Sequence, residues 1–333
     1  MTSRTPHLTT ARPFEATFRS AVRAAIRAPS MHNSQPWRFR LNGDAIDVYA
    51  DPARRLDIAD PTGWAIRLAC GAAAYNARLD LAMSGRTAEL VLRPDLSDPD
   101  LMVRLVPTGH RPATPTERRL HAAIGRRHSN RAPFFPEPVP ATARRALVAA
   151  ARAEGAWLDL LTGLGPLTAV GEIAHAAARV LDRDPGYRWE ISAWSRGDES
   201  HVDGVPASAG GPQTEPQDLL PSRAFGGYPR APGTEFEPEP LVAVLGTAGD
   251  TQRHQLVAGM ALQRVLLALT DAGLAASMLS QPIEVPAARE QLRLALGRFG
   301  PPQMVLRIGY GQPGFPTPRR DFTDVIDDGH VSA

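Results

Sequence analysis

A faint internal repeat constrains this chain more than any other feature of its sequence. GAAAYNARLDLAMSGRTAEL, which opens at Gly71, is paralleled by GMALQRVLLALTDAGLAASML, which opens at Gly259. In the same way FRSAVRAAIRAPSMHNSQPWRFRLNG is paralleled by ARRALVAAARAEGAWLDLLTG. In each copy a helix pattern runs into a strand pattern. Two halves with the same element order imply a duplication or a fused dimer, and a length of 333 residues accommodates two domains or one large domain built from two related halves.

The copies differ in one place. The first helix, predicted over 13–26 with Phe14, Phe18, Val22 and Ile26 on one face, leads into Ala28-Pro29-Ser30-Met31-His32-Asn33-Ser34-Gln35-Pro36-Trp37. Pro29 and Pro36 bar regular helix here, and five side chains between them form hydrogen bonds. Such a loop is either a rigid polar cradle for a flat, heteroatom-rich ligand or a plain connection facing water. In the second copy it has shrunk to Glu154-Gly155.

Further along, alternating runs around Asn42-Gly43 predict a β-hairpin. Trp64 to Met83 reads as an Ala-rich helix buried on several sides. Thr114-Pro115-Thr116-Glu117 has the marks of a helix start, with the helix expected to run to about Arg126. Helices are also expected over 140–153, 164–181, 187–194, 256–269 and 286–296, and strands over 87–92, 101–106, 156–161, 241–246, 274–279 and 304–308. Between 195 and 240 the periodicity collapses into Gly, Pro, Ser and acidic residues, a length that marks a lid or disorder.

Composition removes several chemistries. All 37 basic residues are arginine, so Schiff-base catalysis, a P-loop lysine and a lysine base are excluded. A net charge of +2 gives no electrostatic footprint for nucleic acid. Cys70 is the lone cysteine, and in its apolar helix pattern it reads as a small core residue. No HxxxH or HExxH pair supports a metal site, and no GxSxG elbow supports acyl transfer. No apolar run approaches the roughly 20 residues of a membrane span. Met1 to Thr10 has no apolar core of a secretory signal, so a cytoplasmic location is expected.

Pro29-Ser30-x-x-Asn33-x-Gln35-Pro36-Trp37 and Arg127-x-Ser129-x-Arg131-x-x-Phe134 resemble the two signature segments of the FMN-dependent nitroreductases. Family members carry the Arg-Ser-Arg segment first; here it comes second. In the homodimers of that family the two segments meet from opposite subunits around FMN. A fused pseudo-dimer keeping one copy of each, like the Acg-type single-chain branch of actinobacteria, has one complete site.

The resemblance implies an α+β, nitroreductase-like fold of two tandem halves, each with a central, mostly antiparallel sheet flanked by helices. The first half spans 13–110 and the second 114–325, with 195–240, holding Trp194 at its edge, Phe225 and Tyr228, as a lid or insertion. It implies FMN as cofactor and NAD(P)H as co-substrate, with ping-pong hydride transfer through N5 of FMN to a nitroaromatic, quinone or similar small-molecule acceptor. No side chain need be catalytic, because the flavin carries the chemistry. The alternative is a lid-closed protein that stores FMN without NAD(P)H turnover.

By the same resemblance, Arg127 and Ser129 contact the phosphate, and Arg131 lies near the ring and ribityl chain. A solvated helix end is the plain reading of that trio. Arg319 and Arg320 match a C-terminal basic pair reaching the phosphate, with a solvated tail as the alternative. Pro29, Ser30, Met31 and Asn33 match ring and ribityl contacts, while Gln35 and Trp37 hold loop and core. Ser277 to Gln281, with Met278, Leu279, Ser280 and Gln281 in the site, matches the segment passing the N5 edge. A functional monomer is expected.

Overall fold

The computed structural model describes residues 13–197, 200–213, 215, 218–223, 225, 240–312 and 314–327. Tyr228 and most of 224–239 lie outside the described residues, as does the amino-terminal stretch where a signal was sought.

The chain begins with α1 (Pro13–Ala25), whose Phe14, Phe18 and Val22 are buried. The polar loop delivers it to β1 (Trp37–Asn42), and the Asn-Gly turn returns it as antiparallel β2 (Ala45–Ala50). Then come α2 (Trp64–Met83), β3 (Arg86–Leu92) and β4 (Leu101–His110). The next helix, α3 (Pro115–Ala123), starts with the expected capping box. Thr114 Oγ1 accepts from the Glu117 amide at 3.2 Å, and Glu117 accepts from the Thr114 amide at 2.7 Å. It stops at Ala123 rather than near Arg126.

The second half repeats the plan. Helix α4 (Ala141–Arg152) leads to β5 (Trp157–Leu161). Two helices without a counterpart follow, α5 (Leu164–Arg183) and α6 (Pro185–Trp194). Among the described residues of the patternless stretch, regular structure is a two-residue pair, β6 (Ser195–Arg196) and β7 (Val205–Pro206), and a 3-10 turn, Ala207–Ala209. The plan resumes with β8 (Leu241–Gly246), α7 (Gln252–Asp271) and β9 (Ala275–Leu279). Two helices, the unforeseen α8 (Gln281–Glu284) and α9 (Pro286–Ala295), then carry the chain to β10 (Pro302–Gly309).

The two sheets have one topology. The first is ordered β1-β2-β4-β3 and the second β5-β8-β10-β9, every neighbouring pair antiparallel. Replacing β1, β2, β3 and β4 by β5, β8, β9 and β10 converts one order into the other, so the repeat in sequence is a repeat in structure. The α+β fold with an antiparallel sheet in each half is as expected. Cys70 is fully buried, and burial pushes its thiol far above the usual range.

The halves share their interior. Helices α2 and α7 cross at the centre, with Leu256, Met260 and Leu267 in the apolar cluster of the first sheet. Trp64, Ala65 and Leu68 are reciprocally in the cluster of the second. At the other end of the chain, Phe39 of β1 donates its amide to Val325 at 2.7 Å and accepts from Asp327 at 2.8 Å. The C-terminal tail thus adds itself to the first sheet. Among the described residues no helix is long and apolar enough to cross a membrane.

Candidate functional site

The polar loop is held in a strained form. One 3-10 turn, Met31–Asn33, occupies it where no helix was expected, and His32, Asn33 and Gln35 all take positive φ, between 51° and 55°. Non-glycine residues are uncommon in that region, Asn and His less so than Gln, and a cluster of three persists only where the surroundings brace it. Here they do. Gln35, fully buried, donates to the Val202 carbonyl at 2.8 Å and accepts from the Arg320 amide at 2.8 Å. Asn33 donates to the carbonyls of Gly204 (2.9 Å) and Pro318 (3.0 Å) and accepts from Arg319 at 2.9 Å. Gln35 and Trp37, read as supports, are buried supports. Asn33, expected at the ligand, is occupied by the tail and by the residues before β7, and it does not line the cavity.

That cavity lies between the loop, α2, the end of β9 and residues 220–223 and 225, with about 920 Å³ counted with its opening to solvent. Ala65, Ala69 and Ala72 fall on one face of α2 beside Leu68, because residues three and four apart share a helix face. Small side chains at those positions make that wall flat. Pro29, Ser30, Met31 and Arg131 meet Met278, Leu279, Ser280 and Gln281 around it, so eight of the expected residues converge from separate parts of the chain. Arg131 is brought there because its segment runs along the edge of the second sheet. Ser129 bridges Ala276, and the Asn130 amide donates to the Ala276 carbonyl at 2.9 Å.

Arg127 is buried and Arg319 half-buried in a second, cationic region. Arg127 donates to the Arg27 carbonyl at 3.4 Å, and Arg319 donates to Asn33, to Thr317 and to the Ala28 carbonyl. All these acceptors are neutral, the Nε of each arginine has no partner, and neither pairs with a carboxylate among the described residues. Burial holds Arg127 down at about 10. Burial, together with Arg127 and Arg27, brings Arg319 to about 9. The same arginines and burial push His128 down. Buried cations without counter-charge cost free energy, and a bound anion removes that cost.

Arg320 does not join this group. Its guanidinium donates to Asp51 at 3.4 Å and to the carbonyls of Gln35 (3.2 Å) and Asp324 (2.5 Å). Its fork is satisfied by a carboxylate and backbone carbonyls, so of the expected basic pair Arg319 alone lies in the acid-free group. Ser129 likewise lies off the cavity wall.

The sequence did not reveal the site's third part. Arg223, in the patternless stretch, forms a buried ion pair with Glu284 and donates to Ser280 Oγ at 2.9 Å. It also lies over the Tyr187 ring and reaches His32 at 2.5 Å. Phe225 covers Arg131, with the guanidinium 5.0 Å from the ring centre. The sequence offers one signal, a basic and an aromatic residue close together in a stretch without periodicity.

The likeness to known proteins extends over nearly the whole chain. Two Mycobacterium tuberculosis (strain H37Rv) proteins match it. The first, "Putative NAD(P)H nitroreductase Rv3131", is 33% identical over 95% of this chain and 92% of its own length. The second, "Putative NAD(P)H nitroreductase acg", is 30% identical over 95% of this chain and 96% of its own. The chain belongs to the nitroreductase family. Within it, the Acg-like branch is its place. No family model matches. Among solved structures, the FMN and NADPH-dependent nitroreductase NfnB from Sphigopyxis sp. strain HMH shares 20% identity at a TM-score of 0.41. It covers 64% of this chain and 99% of its own. As a nitroreductase-family chain, this one carries its first signature segment on the loop after α1 and its second beside β9, and Pro29 and Ser30 of the first and Arg131 of the second line the cavity.

Proposed function

We propose that the chain is an FMN-dependent NAD(P)H oxidoreductase acting on a nitroaromatic, quinone or similar small acceptor. One observation carries this reading: Arg127 and Arg319, without acid partners among the described residues, hold the carbonyls of Arg27 and Ala28 just ahead of Pro29, which with Ser30 and Arg131 of the signature segments lines a flat-walled cavity. The residues present fit FMN. The unpaired Nε groups of Arg127 and Arg319 suit a phosphate, and the alanine face of α2 suits a planar ring. Bound there, FMN would supply the redox chemistry between NAD(P)H and the acceptor.

The chain's own residues position and enclose. Arg127 and Arg319 neutralise the phosphate. Arg131, half-buried and lowered to about 10 by desolvation and by Arg223, places positive potential in the cavity wall, where it favours electron-rich oxygens. Met278 to Gln281 present the end of β9 to the ring, and Leu220, Phe225 and His32 limit water.

We further propose one FMN per chain and a functional monomer composed of two halves, 13–110 and 114–325. At Glu154-Gly155, the twin of the polar loop, the buried Glu154 carboxylate accepts from Arg78 and Arg264, each at 2.7 Å. An acid already satisfies the cations there.

A second reading, FMN storage, is favoured by the closure of the segment after α6. Asp203 pairs with Arg54 and Arg196 while Arg223 ties to Glu284. Purified protein, its visible spectrum and an anaerobic NADPH addition separate the readings. A yellow chain bleached by NADPH supports the oxidoreductase. One bleached by dithionite alone supports storage, and a colourless chain that takes up no FMN sinks both.

A further inference from the structure

His32 sits in the cavity wall, 4% exposed, and the protein satisfies half of its ring. Nε2 lies 2.5 Å from Nη1 of Arg223, whereas Nδ1 has no partner among the described residues. A guanidinium has only donors, so Nε2 is the acceptor, and a neutral imidazole must then carry its proton on Nδ1. Burial, with Arg223 and Arg131 nearby, keeps a second proton off the ring.

Nothing leaves this ring free to turn away. Its backbone is locked at φ 51° by the braced loop. Phe225 packs edge-on at 5.4 Å, and Arg223 is anchored by Glu284 and Ser280. A strained backbone, a tautomer imposed by an anchored arginine and a buried N–H without an acceptor together describe a donor built for a ligand. Glu284 offsets Arg223, but Arg131, which donates to the Ala209 carbonyl and pairs with no acid among the described residues, also acts on the ring, so the wall around Nδ1 has a positive field. Such a field disfavours an amine or a cation and favours an oxygen that becomes more negative.

Resting on the flavoprotein reading above, we infer that His32 Nδ1–H donates to a carbonyl- or nitro-type oxygen that gains negative charge as its molecule is reduced in the cavity. Two sources share that chemistry: the acceptor, a quinone or nitroaromatic, and a carbonyl on the pyrimidine edge of FMN. His32 is thereby a specificity-determining residue.

Wild type, His32→Phe and His32→Asn decide between them. Phenylalanine keeps a ring without the donor. Asparagine tolerates the left-handed backbone and restores an N–H near Nδ1. Each oxidised protein is assayed for FMN uptake, for menadione affinity by equilibrium dialysis without reductant, and for the reduction potential of bound FMN. If the oxygen is the acceptor's, His32→Phe weakens menadione binding up to about ten-fold, the upper end for one lost neutral hydrogen bond, and His32→Asn restores most of it. If the oxygen is the flavin's, His32→Phe lowers the FMN potential at unchanged menadione affinity, again with recovery in His32→Asn. A His32→Phe protein unchanged in both measurements overturns the inference. A wild-type chain that takes up no FMN sinks the flavin reading alone, and menadione dialysis against the colourless proteins then decides the role of His32.

Discussion

Gly71 and Gly259 mark reciprocal contacts where α2 crosses α7. A Cβ on Gly71 would stand 2.2 Å from the carbonyl oxygen of Leu256, and one on Gly259 would stand 2.1 Å from that of Leu68. Leu256 precedes Gly259, and Leu68 precedes Gly71, by the same three residues, so the crossing has a pseudo-two-fold axis. Arg67 and Gln255, each one helical turn before its glycine, meet across it at 2.5 Å. The glycines are required by close approach of two backbones, not by backbone angle.

Gly259→Ala is therefore expected to destabilise the chain by about 1–3 kcal/mol, the range for overpacking a filled core. Gly165→Ala, at a helical position where an added Cβ meets nothing within 4 Å, is expected to be neutral or slightly stabilising. Thermal melts of both variants check the pair; equal midpoints would refute the crossing.

Removing a buried uncompensated cation should act in opposite directions with and without ligand. Arg127→Met is expected to raise the stability of the FMN-free chain, since burial of that charge is unfavourable. The same change should weaken FMN binding roughly 10- to 100-fold, the loss of a charge-assisted contact. Fluorescence titration with FMN and melts of both forms read the two signs.

Glu284→Gln leaves Arg223 buried without its carboxylate, and its expected effect is a loss of about 3–5 kcal/mol. Arg223→Met added to it should recover much of that loss, because the pair is costly mainly when broken. Urea unfolding of the two single variants and the double variant completes the cycle.

Stability should also fall with rising pH through Asp60. Burial holds its carboxyl up at about 6, against the pull of the amides at the start of α2. Between the unfolded value near 3.8 and about 6 the folded chain binds more protons than the unfolded one. This group therefore favours folding at low pH, and that advantage is lost as pH rises toward and past 6. Asp60→Asn, whose side-chain oxygen can still accept from the Ile66 amide that Asp60 binds at 3.1 Å, should flatten the slope between pH 4 and 6. It should also raise stability at pH 7, as urea midpoints across that range would show.

Much of the architecture was legible because it depends on neighbours in sequence. The apolar spacing of Phe14, Phe18 and Val22, the cap at Thr114 and the turn at Asn42-Gly43 are local choices, and each appears where the sequence puts it. Boundaries moved where tertiary contacts intervened, as at the end of α3 and in the short α8 before Pro286. The candidate site was legible in the residues close to its two signature segments, including Met31 and Arg131. It was not legible in Arg223, whose neighbours in sequence have no periodicity and whose partners Glu284 and His32 come from distant segments.

By itself the sequence determined the order of elements, the duplicated plan and the chemical types available, with every fixed cation an arginine. Only the tertiary structure decided which arginines keep a free valence. Arg319 and Arg320 are adjacent and chemically identical, yet Arg320 finds Asp51 while Arg319 finds only neutral oxygens. Charge compensation depends on what other segments bring within a few ångströms, and local sequence carries no record of that.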